Sequence, residues 1–245
     1  MAVNIDSVYQ KVLALANKEQ RGYITPQEFN LFADHAQKEI FEQYFYDLSQ
    51  LLRSHGNSEE YSDIINNIRD KINIFEEHKI ANNPAWMASD VYRLGSVFVE
   101  NTIPWGLTKD RGVEAQRVQQ DELRNMQRSP LLKPRSSRPV YVIEKQGPNR
   151  YIYVHPIADT AYTKKVDQIK YTYIGRPSTP VWGYAVINGD AMYDVGNSIH
   201  FQLHESEEAE LVYRVLTQAG VAIQRQDVTQ AAVSGQVLQN QQEKI

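Results

Sequence analysis

Apolar residues between positions 26 and 52 recur in steps of three and four. Phe29, Phe32, Ala36, Ile40, Tyr44, Leu48 and Leu51 mark one side of a helix from Pro26 to about Ser54. Phe41, Phe45 and Leu52 widen that stripe, which predicts more apolar surface than one partner helix covers. The helix start is written into "YITPQEF". Thr25 suits the N-cap, Pro26 the first helical position, and Glu28 completes a capping box with Thr25. Upstream, Val8, Val12, Leu13 and Leu15 predict a shorter helix over 6–16. Downstream, "SHGNS" at 54–58 interrupts the pattern. Tyr61, Ile64, Ile65, Ile68, Ile72 and Phe75 then predict a second long helix from Ser58 to Glu77. Two long helices joined by a short turn predict an antiparallel hairpin.

The rhythm then changes. Val91, Leu94, Val97, Phe98 and Val99 read as short strand material around Gly95. Residues 110–128 predict a mostly polar helix with Val113, Val118, Leu123 and Met126 on a thin seam. "SPLLKPRSSRPVY" predicts extended chain, because proline removes a donor and fixes φ. From Pro139 to Leu203 the alternation is that of strands. "VYVIEK" and "RYIYVHP", separated by "QGPN", form a hairpin; "VDQIKYTYIGRP", "VWGYAVING" and "SIHFQLHE" add further strands. Ser206 is placed to cap a last helix, with Leu211, Val212, Val215 and Leu216 inward and Gly220 ending it. The glutamine-rich remainder predicts an extended C-terminal tail.

The expected fold class is therefore α+β. A helical bundle built on the long antiparallel helix hairpin carries an inserted antiparallel β-module and an extended C-terminal tail. The expected divisions are a helical domain at 1–128, a β-rich module at 129–205, a returning helix at 206–220 and the tail at 221–245.

Composition narrows the chemistry. The 245 residues include no cysteine, which excludes disulfides, thiolate metal sites and cysteine nucleophiles. The net charge of −4 argues against wholesale nucleic-acid binding. No apolar run approaches the ~18 residues of a membrane span. "MAVNIDSVYQ" lacks the basic and apolar regions of a signal peptide, so synthesis and folding in a cytoplasm are expected. Fifteen tyrosines against seven phenylalanines suit half-wet surfaces such as subunit interfaces, and equally suit β-sheets.

No catalytic set emerges: HExxH, GxSxG, GxGxxG and phosphate-binding glycine loops are all absent. His200 and His204 lie four apart at a predicted strand end, without helical ligand geometry. "NKEQRGYITPQE" fits a calcium loop at Gly22 and Glu28. Arg21 would occupy the fifth ligand position, and a guanidinium has no lone pair to offer. The reading is of a protein that is not an enzyme, without metal or cofactor. Between Lys109 and Arg138 eight basic residues stand against four acidic ones. Arg117, Arg124, Arg128, Lys133, Arg135 and Arg138 are candidates for contacting an acidic partner or passing DNA.

Three stretches, in this order, resemble a known family: "YITPQEFNLFADHAQKEIFEQYFYDL", "SPLLKPRSSRPVY" and "LHESEEAELVYRVLTQAGVAIQRQDVTQAA". They resemble the head–tail adaptor (ring or connector) proteins of short-tailed bacteriophages, of the crAss-like and marine podovirus type. The resemblance implies a virion protein at the head–tail interface. Copies, commonly about twelve, form a homo-oligomeric ring that meets the portal protein, tail or further ring proteins, and passing genomic DNA. Another virion ring (tail tube, gatekeeper or collar) is the alternative, and a regulatory binding module a more distant one. A ring needs two different sticky surfaces on each subunit. The expected partner-binding residues are Phe41 and Phe45 on the wide stripe, and Tyr141, Tyr151, Tyr153, Tyr171 and Tyr173 on the β-module. Val228, Val237 and Leu238 complete the set on the tail.

Overall fold

The computed structural model describes residues 2–17, 24–53, 59–101, 112–135, 137–156 and 166–222, with Val233, Ser234 and Val237 beyond them. Five α-helices are described: α1 (Ile5–Asn17), α2 (Pro26–Arg53), α3 (Glu59–Asn73), α4 (Gln120–Arg128) and α5 (Glu208–Ala222). The strands are β1 (Glu76–Asn82), β2 (Ala85–Met87), β3 (Val91–Asn101), β4 (Val113–Glu114), β5 (Gln116–Arg117), β6 (Val140–Gln146), β7 (Asn149–His155), β8 (Val166–Gly175), β9 (Tyr184–Ile187) and β10 (Asp190–Tyr193). The chain is thus mixed α/β with antiparallel sheets. It divides into two compact units: Met1–Ile74 with Pro177–Ile245, and Phe75–Arg176.

The β-rich unit opens at Phe75, well before the expected boundary at 129, and closes at Arg176 rather than 205. Two earlier expectations fall with that boundary. The second long helix stops at Asn73, because residues 76–82 pair along β8 from Glu76↔Ile174 to Asn82↔Gln168. Residues 113–117 are edge strands instead of helix. Val113 pairs with Val99, and the Ala115 N–H donates to the Val97 carbonyl at 2.8 Å. Partner strands outweigh the weak local preference of these polar segments.

Within this unit β8 lies between β1 and β3, and β4 extends the sheet beyond β3. A second sheet runs β2-β7-β6-β5, antiparallel except for the β5–β6 pair. Both sheets contribute to one core: Val97, Val99, Ile169, Tyr171 and Tyr173 from the first, Met87, Tyr141, Ile152 and Val154 from the second. Gly95 sits at a register shift between β3 and β8. A Cβ there would fall 2.4 Å from Thr172 Oγ1, the atom that accepts the Ser96 N–H. On the other face of the second sheet, Leu123 and Met126 of α4 cover Val140 and Val142. Val140, Tyr141 and Val142 are consequently buried in succession, the mark of a strand covered on both faces.

In the helical unit, α2 buries Phe29, Ala33, Ala36, Ile40, Phe41 and Tyr44, close to the predicted stripe. The capping box forms as read. Thr25 N–H and Oγ1 both donate to Glu28 Oε2, and Glu28 N–H donates back to Thr25 Oγ1 at 3.3 Å. The backbone and side-chain bonds from Thr25 hold the Glu28 carboxyl below its ordinary pKa. Two polar side chains on the inner face of α2 tie down the chain returning from the β-rich unit. Asn30 exchanges hydrogen bonds with the Trp182 backbone, and Gln37, fully buried, bridges the Ser178 carbonyl and the Gln202 N–H. "SIHFQLHE" forms no strand; it contributes the isolated bridges Val181↔Ile199 and Val3↔Phe201. A short 3₁₀ turn precedes α5, and its cap is His204 rather than Ser206: His204 Nδ1 accepts the Ser206 N–H. α5 runs on through Gly220 to Ala222. The tail expected at 221–245 lies almost wholly outside the described residues.

Candidate interaction surfaces

The tyrosines expected at an interface divide by strand alternation. Tyr141, Tyr171 and Tyr173 point into the shared core of the β-rich unit and are buried, so they are corrected to core residues. Tyr171 donates its hydroxyl to the Trp86 carbonyl at 3.0 Å, and Tyr173 donates to Glu77 Oε2 at 2.5 Å. Burial is the main cause that pushes their pKa values upward, as it does for Tyr141. Phe41 is likewise core, 3% exposed, with its ring edge-on to half-buried Phe45 at 5.1 Å. Tyr151 and Tyr153 lie on the opposite face from Ile152 and Val154 and are half-buried, their rings 6.4 Å apart. Trp86, half exposed, pairs with Tyr151 across β2 and β7. Of the tail residues, Val237 is exposed; Val228 and Leu238 lie outside the described residues.

The six expected basic residues are all exposed. Arg117 is on β5, Arg124 and Arg128 on α4, and Lys133, Arg135 and Arg138 on the loop that follows. That loop is a compact turn and not simply extended chain. The Lys133 N–H donates to the Ser129 carbonyl at 3.0 Å, and the Arg138 N–H to the Arg135 carbonyl at 2.9 Å. Pro134 is buried beneath it. At its apex Leu131 is 87% exposed and Leu132 50%.

Two surfaces of the helical unit were not expected. The first is the β9–β10 hairpin, with Val186 66% exposed, and Ile187 and Met192 also open to solvent. Its root is an aromatic cluster: the Trp182 ring lies 5.9 Å from Tyr184, 5.7 Å from Tyr193 and 4.3 Å from Tyr9. The indole N–H donates to Asp6 Oδ1 at 3.0 Å, which fixes the root to α1. The signal was in the sequence: "NG" between apolar residues is a strong hairpin cue, and here Asn188 and Gly189 adopt φ of 56° and 93°.

The second is a cleft of about 770 Å³ walled by α2, α3 and the start of α5. Tyr44, Leu51, Ile64 and Ile68 supply apolar walls, and Asp47, Asp70, Glu207 and Glu210 supply carboxylates. Lys71 Nζ pairs with Glu207 Oε1 at 2.5 Å and lies 5.8 Å from the centre of the Tyr44 ring. Glu207 is 1% exposed, and its Oε2 is buried without a hydrogen-bond partner. Behind the cleft, Arg214 Nε donates to Glu210 Oε1 at 2.7 Å, and the guanidinium also reaches Glu39 and Gln43. The i,i+4 spacing of Glu210 and Arg214 was readable; their burial was not. On the other side of α5, Glu208 takes Lys11 at 2.7 Å and Ser7 at 2.5 Å; these bonds, Lys11's first, hold its pKa low.

Among the described residues no group of histidine, aspartate and glutamate has the arrangement of a metal site. His200 and His204 instead accept backbone N–H bonds from Ile5 and Ser206. No described helix is long and apolar enough to cross a membrane. No known family model matches the chain, and no curated protein matches it.

Proposed function

We propose that this chain is a structural protein of a phage virion, a head-to-tail adaptor ring that joins the portal to the tail and lines or seals the DNA exit channel. In this reading α2 and α3 form the antiparallel helix hairpin of the ring body, residues 221–245 extend to the portal, and the protein acts without catalysis. The observation that carries the reading is the β9–β10 hairpin. A two-stranded ribbon is marginal in water, and this one, with no third strand among the described residues and with Val186, Ile187 and Met192 exposed, suits burial against another subunit. The three sequence stretches that resemble phage adaptors supply the specific role. The exposed cations of α4 and the following loop suit an acidic partner or DNA backbone.

Mass photometry of the purified chain with and without portal protein tests this. The expected result is a high-order ring of about twelve copies, formed or stabilised on portal. A closed dimer that ignores portal overturns it.

A further inference from the structure

We propose that the acidic cleft of one copy receives the Ser129–Arg135 turn of a second copy. The proposal deepens the assembly reading and rests on it only in that copies of the chain meet. Three observations converge. The cleft, about 770 Å³, lies within the ~300–1,000 Å³ range of binding pockets and is walled by apolar side chains. Its described lining holds four carboxylates, of which Glu207 is paired with Lys71 and Glu210 with Arg214 behind the cleft; Asp47 and Asp70 are the acidic groups left to meet an incoming cation. One of those carboxylates, Glu207, is buried with an oxygen that no donor satisfies.

The turn carries the complementary chemistry. Leu131 and Leu132 project at its apex, followed by exposed Lys133 and Arg135. It is preformed: the Ser129–Lys133 bond and the Arg135–Arg138 bridge hold it, and the Arg138 guanidinium reaches the Leu132 carbonyl at 3.5 Å. A preformed turn loses little entropy on docking. Leucines against Leu51, Ile64 and Ile68, with cations against Asp47 and Asp70, match the turn to the cleft in both polarity and charge. Cleft and turn are different patches, so the contact is heterologous and propagates from copy to copy, as a ring requires.

The test is a titration of the full chain into a dye-labelled synthetic peptide of residues 127–138, read by fluorescence anisotropy. Saturable binding is expected, weakening with salt as charges are screened. Asp47→Lys in the chain should weaken it by about five-fold or more, and Leu131→Asp in the peptide should remove it. Glu42→Lys, exposed on α2 outside the cleft lining, should leave affinity within about two-fold. Absence of saturable binding overturns the proposal. So does equal weakening by Glu42→Lys, which would mean attraction to the whole acidic surface. Competition by spermine as effective as by unlabelled peptide also overturns it, since the cleft would then be a site for free amines. The full-chain variant Leu131→Asp/Leu132→Asp should lower self-association in sedimentation without lowering the melting temperature. If a ring forms undiminished in that variant and the peptide does not bind, docking fails while the adaptor reading stands. If the peptide binds but no ring forms on portal, the adaptor reading fails alone.

Discussion

Two β-hairpins in this chain share a two-residue turn and little else. β6–β7 turns through Gly147 and Pro148, with Gln146 opposite Asn149; β9–β10 turns through Asn188 and Gly189, with Ile187 opposite Asp190. The first has seven-residue strands inside a four-stranded sheet, with core on one face and α4 on the other. The second has four-residue strands, no further strand beside it among the described residues, and apolar residues open to water. Local turn chemistry makes a hairpin in both cases. What surrounds it decides whether it becomes core or leaves its apolar residues open to water.

The sharpest break of this comparison is to truncate an equivalent apolar side chain in each. Ile152→Ala leaves a cavity between the two sheets and should destabilise the β-rich unit by about 2–5 kcal/mol. Val186→Ala should stay within about 0.5 kcal/mol in the isolated chain, while weakening any assembly the hairpin enters. Urea unfolding of both variants measures the contrast; similar losses would show that the β9–β10 hairpin is already covered in the free chain.

The root of the exposed hairpin is where its stability resides. A Cβ at Gly183 would lie 2.6 Å from the backbone carbon and oxygen of Asn197, atoms that cannot swing aside. Gly183→Ala should therefore cost about 1–3 kcal/mol and loosen the hairpin against Trp182. Hydrogen exchange at Asp194, whose N–H donates to the Gly183 carbonyl at 2.9 Å, reads that loosening directly.

The two turns themselves give a smaller, more local contrast. Gly147 at φ 62° and Gly189 at φ 93° both hold conformations that an L side chain resists, and neither has an atom near the missing Cβ. Alanine at either should cost about 1 kcal/mol from backbone strain alone. Gly147→Ala should lower the unfolding midpoint of the whole β-rich unit, because that hairpin unfolds with its sheet. Gly189→Ala should only fray β9 and β10, visible as faster exchange at Ala185 and Met192 with an unchanged midpoint.

The same contrast explains what the sequence revealed. Long periodic elements were legible: α2 with its capping box, α5, and the "QGPN" hairpin all follow from residues close in sequence. Strands β1, β4 and β5 were not, because "EEHKIAN" carries no clear alternation and the alternation in "VEAQR" is too short to signal a strand; they exist through pairing with β8, β3 and β6. Three of the five expected interface tyrosines, Tyr141, Tyr171 and Tyr173, proved to be core for a related reason. Tyr171 and Tyr173 are two apart and share a face, but sequence cannot say whether that face meets water or a second sheet. The acidic cleft was out of reach altogether. It joins residues 47 and 70 of two helices with residue 207 of the 3₁₀ turn before α5, and only packing brings them together.

The last contrast is silent at neutral pH and appears at the edges. In the β-rich unit, burial raises the pKa values of Tyr141, Tyr171 and Tyr173 above their ordinary value of about 10. Above that pH the unfolded chain releases protons that the folded unit still holds, so stability falls as pH rises. The tyrosine contribution is complete below pH about 10 and is lost as pH climbs through the folded values. Burial lowers the His155 pKa, partly opposed by Glu144, so its contribution is complete above pH about 6.5 and is lost as pH falls through the folded value. The helical unit has a different acid edge. Glu28 and Glu208 hold depressed pKa values, and their contributions persist until pH falls below the carboxylate range, about 4.3. Acidification should therefore raise exchange at β6 and β7 before it does so at the start of α2, and mild alkali should again loosen the β-rich unit first. Tyr173→Phe should make the alkaline loss shallower, measured by tyrosinate absorbance against residual structure. If both units loosen together at each edge, these groups do not govern the pH response and the two units unfold as one.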